Sequence, residues 1–233
     1  MNSNFEIILD STHEIENNLN NVDKAYFLIK EKIQQCKYLP GQFLSEKEIV
    51  DELGLSRTPV REALGRLEGE KKIKKIVNKG IMIEEISLLK LKKIYEIRLV
   101  LESYAIKEAL KYIKEDDIEF LKDLYNEMEL ETYLESIQGV FKRGANIHTY
   151  ISKMSNNEIL YSMIKNLREE CYRGNVYYML RSLDVLSKEE RALKCQNILE
   201  GHKVLIEALI EKNEKKALAA LEKDLVIFTE VLK

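Results

Sequence analysis

Proline and glycine are scarce in this chain, tryptophan is missing, and no long apolar run occurs. Only Pro40 and Pro59 interrupt 233 residues, so long helices meet few breakers. Five of the nine glycines (Gly41, Gly54, Gly65, Gly69 and Gly80) lie between residues 41 and 80, which concentrates the tight turns there. Without an 18-residue apolar stretch, a membrane span is excluded. The first 23 residues carry no Lys or Arg, the opposite of a signal peptide's positive start, and a cytoplasmic protein is expected. Cys36, Cys171 and Cys195 are odd in number and far apart, which excludes a disulfide framework and a Cys-x-x-Cys metal knuckle. Reduced, mostly buried thiols are expected. Alternating β-branched runs are absent outside residues 73–86, so everything beyond about residue 87 reads as amphipathic helix.

What is present fits one large domain or two modest ones, with 45% hydrophobic and 33% charged residues. Charge is unevenly placed. Residues 1–23 carry five acids, residues 24–93 carry 16 bases against 10 acids, and residues 94–233 carry 21 against 25. A basic module therefore sits on an acidic body, which suits either a nucleic-acid partner or a solvated lysine face.

Residues 1–23 have little periodicity and read as an N-terminal arm. From Asp23, taken as the cap, Ala25, Leu28, Ile29, Ile33 and Cys36 repeat at helical spacing until Pro40-Gly41. Ser45 with Glu48 three residues on forms a capping box for a short helix ending at Gly54. A third helix starts at Ser56 as N-cap, with Pro59 in its first turn and Val60, Ala63, Leu64 and Leu67 facing a core. Arg57 and Arg61 then lie four apart on the outward face at the helix N-terminus, where their charge opposes the dipole. They suit bound phosphates or bases; the alternative is a solvated face paired with Glu62 and Glu68. Ile73, Val77, Ile81 and Ile83 around Asn78-Lys79-Gly80 predict a two-stranded wing. Residues 24–86 thus read as a winged helix-turn-helix.

The segment from Gly41 to Glu68, with Leu44-Ser45-Glu46-x-Glu48-Ile49 and Leu53-Gly54-Leu55-Ser56-Arg57-Thr58-Pro59-Val60-Arg61-Glu62-Ala63-Leu64-x-Arg66-Leu67-Glu68, resembles the DNA-binding domain of GntR-family bacterial transcription regulators. Downstream, Tyr95-Glu96-Ile97-Arg98-x-x-Leu101-Glu102, His148, Asn157-x-x-Leu160 and Glu200-x-His202 resemble the FadR branch and its FCD effector domain, so the likeness runs over residues 24–232. The resemblance implies DNA contacts from Arg57, Thr58 and Arg61 on the third helix, Lys47 on the second, and Lys79 with Gly80 at the wing tip, where glycine permits close approach to DNA. Arginine there can donate bidentately to guanine, worth about 1–3 kcal/mol of base discrimination. The chain departs from the family at Glu70-Lys71-Lys72-Ile73, which loses a C-cap glycine and predicts a looser turn.

Residues 87–233 are predicted to form an all-α bundle of six or seven helices, with breaks near Lys114 to Asp117, Gly139, Ser155 to Asn157, Asp184 to Ser187 and Asn213. The fold class is mainly α. The resemblance implies a divalent metal (Zn, Ni or Mn) in this domain. His148 and His202 match two family histidines, the family aspartate is Gly144 and its last histidine is Asp224. His148, His202 and Asp224 would form a two-His, one-carboxylate set; the alternative is a degenerate pocket whose histidines only hydrogen-bond. Restoring the carboxylate as Gly144→Asp is expected to strengthen metal binding. Arg98 is expected in the pocket beside His148 and His202, neutralised by Glu102 at i+4 or by an anionic effector such as an organic or sugar acid. An enzyme using the same three ligands leaves residues 41–68 unexplained. The expectation is a homodimeric repressor on palindromic operator DNA, sensing a small carboxylate-bearing metabolite, or one whose second domain serves only for dimerisation.

Overall fold

The computed structural model describes residues 19–184 and 186–231, which form two compact units parting between Ile86 and Ser87. Residues 1–18 of the expected arm lie outside the described ones.

The first unit runs α1 (Asn21–Gln34), β1 (Phe43–Leu44), α2 (Glu46–Leu53), α3 (Arg57–Gly69), β2 (Ile73–Ile76) and β3 (Gly80–Ile83). Helix α1 begins earlier than expected because Asn20, not Asp23, is its cap: the Asn20 side-chain oxygen accepts from the N–H groups of Val22 and Asp23 at 3.0 and 2.9 Å. Asp23 sits in the first turn, where its charge suits the helix dipole. The Ser45–Glu48 capping box forms in both directions, and Gly54 ends α2 at φ 65°. Ser56 occupies the N-cap position of α3, yet its hydroxyl accepts no capping hydrogen bond.

The wing has a third strand. β1 pairs antiparallel with β3, which pairs with β2, giving the order β1-β3-β2. A two-residue strand leaves no periodic trace in sequence, which is why the pattern predicts only the hairpin. Gly80, at φ 93°, crosses so near this strand that a β-carbon would stand 2.7 Å from the Leu44 carbonyl oxygen. Its lack of a side chain therefore serves the sheet itself. Ala25, Ile29 and Ile33 of α1, Val60, Ala63, Leu64 and Leu67 of α3, and Ile73, Ile81 and Ile83 of the wing close one core. Each buried Leu or Ile there contributes about 1.5–3 kcal/mol.

The turn after α3 is closed rather than loose. Lys71 takes φ 56°, the Lys72 N–H reaches the Leu67 carbonyl at 2.9 Å, and the Lys71 N–H reaches Glu68 at 3.0 Å. That is a Schellman motif with lysine where glycine is usual.

The second unit has six helices among the described residues: α4 (Leu88–Tyr112), α5 (Glu115–Tyr133), α6 (Ile137–Lys153), α7 (Glu158–Leu183), α8 (Lys188–Ile210) and α9 (Glu214–Val231). Helix α6 is central, packed by α4, α5, α7 and α8 and buried on nearly every side. Gly139 does not break the chain, contrary to expectation. It lies in the first turn of α6, capped by Ser136, after α5 ends at Tyr133 and Glu135 adopts φ 56°. No helix of the described residues is long and apolar enough to cross a membrane.

Candidate functional site

In the first unit, Arg57, Thr58 and Arg61 are exposed on the first turns of α3, and Lys47 is exposed on α2. Lys79 is exposed at the β2–β3 turn, where Asn78 adopts φ 63°. Arg61 does not pair with Glu62 or Glu68. Its Nε donates to both carboxylate oxygens of Glu46 at 2.8 and 2.9 Å, whereas Glu68 accepts from the Lys75 backbone N–H at 3.0 Å. Arg57 has no carboxylate partner among the described residues.

In the second unit, five helices converge on one buried cluster. Helix α4 supplies Arg98 and Glu102, α6 supplies Gly144 and His148, α7 Arg168, α8 His202 and α9 Asp224. The i, i+4 spacing puts both members of each pair on α4 and α6 on one face. Arg98, Glu102, His148, Arg168 and His202 are between 2% and 6% exposed. Arg98 Nε donates to Glu102 Oε1 at 2.8 Å and Arg168 Nε to the same oxygen at 3.0 Å, with Arg168 also bonded to Glu102 Oε2. His148 Nδ1 lies 3.2 Å from Glu102 Oε2 and its Nε2 lies 3.3 Å from Asp224 Oδ2. The latter contact lacks hydrogen-bond geometry, so His148 Nε2 is a buried nitrogen without a hydrogen-bond partner. The expected Arg98–Glu102 pair is formed. Arg168 was missed, although it interrupts the buried stripe Ile164, Cys171 and Tyr172 of α7, a place where a charge signals a buried partner.

Burial works against the Glu102 carboxylate, but Arg168 and Arg98 more than offset it and hold the group well below its ordinary value. Burial likewise raises Asp224, and the facing His202, His148 and Arg168 reverse the effect. For His202, burial dominates and lowers the imidazole, favouring the neutral ring. Its Nδ1 lies 2.8 Å from the Ile198 carbonyl, which can only accept, so the neutral ring carries its proton on Nδ1 and a lone pair on Nε2. The charges of the two guanidiniums and the two carboxylates cancel.

A divalent cation fits this donor set. One ligand atom from each of His148, His202 and Asp224 lies within 4.8 Å of the others, and the unpartnered His148 Nε2 is the kind of atom a cation would satisfy. Alongside runs a cavity of about 30 Å³, lined by Arg98, Gly144, Arg168, Asn175, His202 and Asp224 among others. That volume holds about one or two water-sized groups.

Comparison with known proteins matches residues 21–83 to the bacterial regulatory proteins of the gntR family and residues 93–226 to the FCD domain. The Nta operon transcriptional regulator of Aminobacter aminovorans is 30% identical over 132 residues, 57% of this chain and 62% of that protein. The aligned part thus spans less than two thirds of that relative. The HTH-type transcriptional repressor RspR of Escherichia coli is 26% identical over 171 residues, 73% of each chain. Among solved structures, E. coli McbR/YncC superposes with a TM-score of 0.73 at 22% identity, covering 92% of this chain and 97% of that one. At that identity the likeness speaks for the fold.

Proposed function

Because the chain belongs to the GntR family of bacterial transcription regulators and carries an FCD domain, a regulator and not an enzyme, we propose that it is a homodimeric repressor that binds palindromic operator DNA and senses a carboxylate-bearing metabolite beside a divalent metal. It acts on DNA in the cytoplasm. The reading end is the N-terminal turn of α3. Arg57 and Thr58 stand free there, and Arg61 is held only by an exposed pair with Glu46, which costs about 0–1 kcal/mol to exchange for DNA. Lys47 on α2 and Lys79 at the wing tip add exposed bases, and Gly80 lets the wing pass close to Leu44 of β1.

The observation that carries the sensing half is the convergence of His148, His202 and Asp224 beside Arg98 and Arg168. A divalent cation on this internally neutral set brings two uncompensated positive charges into a buried site, next to two arginines. An anion offsets that cost, and a carboxylate matches the planar guanidinium fork. When bound, the metal supplies a Lewis-acidic point for an effector oxygen. His148, His202 and Asp224 would hold it, and Arg98 and Arg168 would orient the carboxylate. The cavity accommodates only the head of an organic or sugar acid, so the remainder of such an effector must displace lining side chains.

The dimer face we assign is the apolar outer side of α4 and α7. Ile97, Val100 and Tyr104 follow helical spacing on α4, as do Ile159 and Met163 on α7, with Val100 68% and Ile159 75% exposed. The two helices pack together beneath them through Leu101, Ala105, Leu160 and Ile164. Repression is supported by the name of the relative RspR. The test is selection of genomic fragments on the purified protein, followed by binding isotherms with and without Zn, Ni or Mn and a panel of organic and sugar acids. Selective binding to an inverted repeat that an acid weakens supports the proposal; fragments with no shared sequence would end it.

A further inference from the structure

We propose that Glu102 is a positioning residue that couples cation binding at His148 to anion binding at Arg98 and Arg168. The inference rests on the sensing function proposed above and adds its internal regulation.

Glu102 is hydrogen-bonded to both guanidiniums and also faces His148, so it touches both halves of the cluster. Its Oε1 accepts from Arg98 Nε at 2.8 Å and Arg168 Nε at 3.0 Å, and its Oε2 is shared between Arg168 and His148 Nδ1, the latter at 3.2 Å. As a carboxylate it can only accept, so the His148 nitrogen facing it must donate, which leaves the Nε2 lone pair aimed toward Asp224. Both guanidiniums also line the cavity. An anion entering there competes with Glu102 for guanidinium hydrogen bonds and charge. As the arginines turn part of their charge to the anion, Glu102 is left less neutralised, and its remaining strong donor is the His148 N–H. A more strongly held N–H makes the opposite ring nitrogen a better ligand. The reverse path follows by linkage. A cation on Nε2 polarises the Nδ1–H toward Glu102, which loosens the carboxylate's hold on the arginines and frees them for an anion. Arg98, Glu102, His148 and Arg168 are almost fully buried, so water does not damp the exchange.

The test is calorimetric titration of Mn²⁺ into the metal-stripped full chain, with and without saturating acetate. The wild-type protein is expected to bind Mn²⁺ on the order of tenfold more tightly with acetate, within the usual range of coupling. Glu102→Gln retains an acceptor for the His148 N–H but lacks the charge, and is expected to bind Mn²⁺ with an acetate effect near onefold. Since Glu102→Gln leaves two buried guanidiniums without a counter-charge, the double variant Arg98→Met/Glu102→Gln is titrated as well. It removes one charge of each sign, keeps Arg168 for acetate, and is also expected to lose the effect. If acetate tightens Mn²⁺ equally in wild type and in either folded variant, the anion ligates the metal directly and the coupling role is overturned, while the sensing function stands. Mn²⁺ binding in the wild type that ignores acetate overturns the coupling too. A wild-type chain that binds neither Mn²⁺ nor Zn²⁺ removes the metal reading and this inference with it.

Discussion

The Nε2 atom of His202 rests so close to Gly144 that a β-carbon at residue 144 would stand 2.9 Å from it and 3.2 Å from the neighbouring ring carbon. The imidazole cannot simply swing aside, because its Nδ1 is tied to the Ile198 carbonyl one turn back on α8. Gly144 is thus the space that lets His202 approach His148, whose ring lies 5.1 Å away, centroid to centroid.

This reverses what the sequence suggests for Gly144→Asp. A carboxylate one helical turn before His148 is the right chemistry, but its β-carbon needs the volume His202 occupies. We expect both Gly144→Asp and Gly144→Ala to weaken Mn²⁺ binding, by roughly 10–100-fold as for other disturbed ligand supports. Calorimetry on the two variants checks it. Tighter binding by Gly144→Asp than by wild type would show that the ring yields and that the carboxylate dominates.

On the DNA-binding unit, Arg57→Ala and Arg61→Ala are each expected to weaken specific operator binding by roughly 5–150-fold without changing helical content. Loss of one bidentate base contact costs about 1–3 kcal/mol. Because Glu46 competes with DNA for Arg61, Glu46→Gln should tighten binding by up to about fivefold, the worth of an exposed ion pair. Fluorescence anisotropy on a selected operator separates these outcomes. An Arg61→Ala protein with wild-type affinity would leave the reading to Arg57 alone.

Lys79→Ala should behave differently. An exposed lysine at a wing tip suits phosphate, so its loss should weaken specific and nonspecific binding alike and make the salt slope shallower by roughly one unit. A slope equal to that of the wild type would remove the phosphate contact.

The elements whose register repeats over several turns were legible in sequence: the α3 core face, the capping box at Ser45, and the helical bundle after residue 87. The set His148, His202 and Asp224 could be named only through family resemblance, since three residues on three helices share no spacing. Geometry that depends on tertiary contact stayed hidden. Strand β1 has two residues and no period; Arg168 reaches Glu102 across 66 positions of sequence; and Gly80 and Gly144 are explained by what lies opposite them, Leu44 and His202. The same holds for the α3 terminus, where local propensity argued for a loose turn and hydrogen bonding closes it.

That terminus gives a stability test. Lys71 adopts φ 56° with both Schellman hydrogen bonds made, so glycine would take the same backbone without the β-carbon penalty. Lys71→Gly is expected to stabilise the protein by about 1 kcal/mol, after subtracting glycine's greater freedom when unfolded. Urea unfolding followed by circular dichroism reads the change. A lower midpoint would mean that the Lys71 side chain makes a contact worth more than the strain.

The buried cluster also sets how stability depends on pH in the metal-stripped protein. Burial lowers the His202 imidazole, so below the unfolded value of about 6.5 the unfolded chain takes up a proton that the native state resists. The unfolded state then binds more protons, and stability must fall as pH falls, by up to about 1.4 kcal/mol per pH unit for one such group. Glu102 and Asp224 are depressed in the folded state, so their contribution is complete above about pH 4 and is lost on further acidification. Two successive declines are therefore expected, one starting near pH 6.5 and a steeper one below about pH 4. His202→Gln should flatten the first and shrink the second only by the share of Asp224 that His202 holds down, leaving the Glu102 share in place. Urea midpoints measured from pH 8 to pH 3 on chelator-treated protein would resolve them; a wild-type midpoint constant between pH 7 and 5 would mean that His202 is not held neutral.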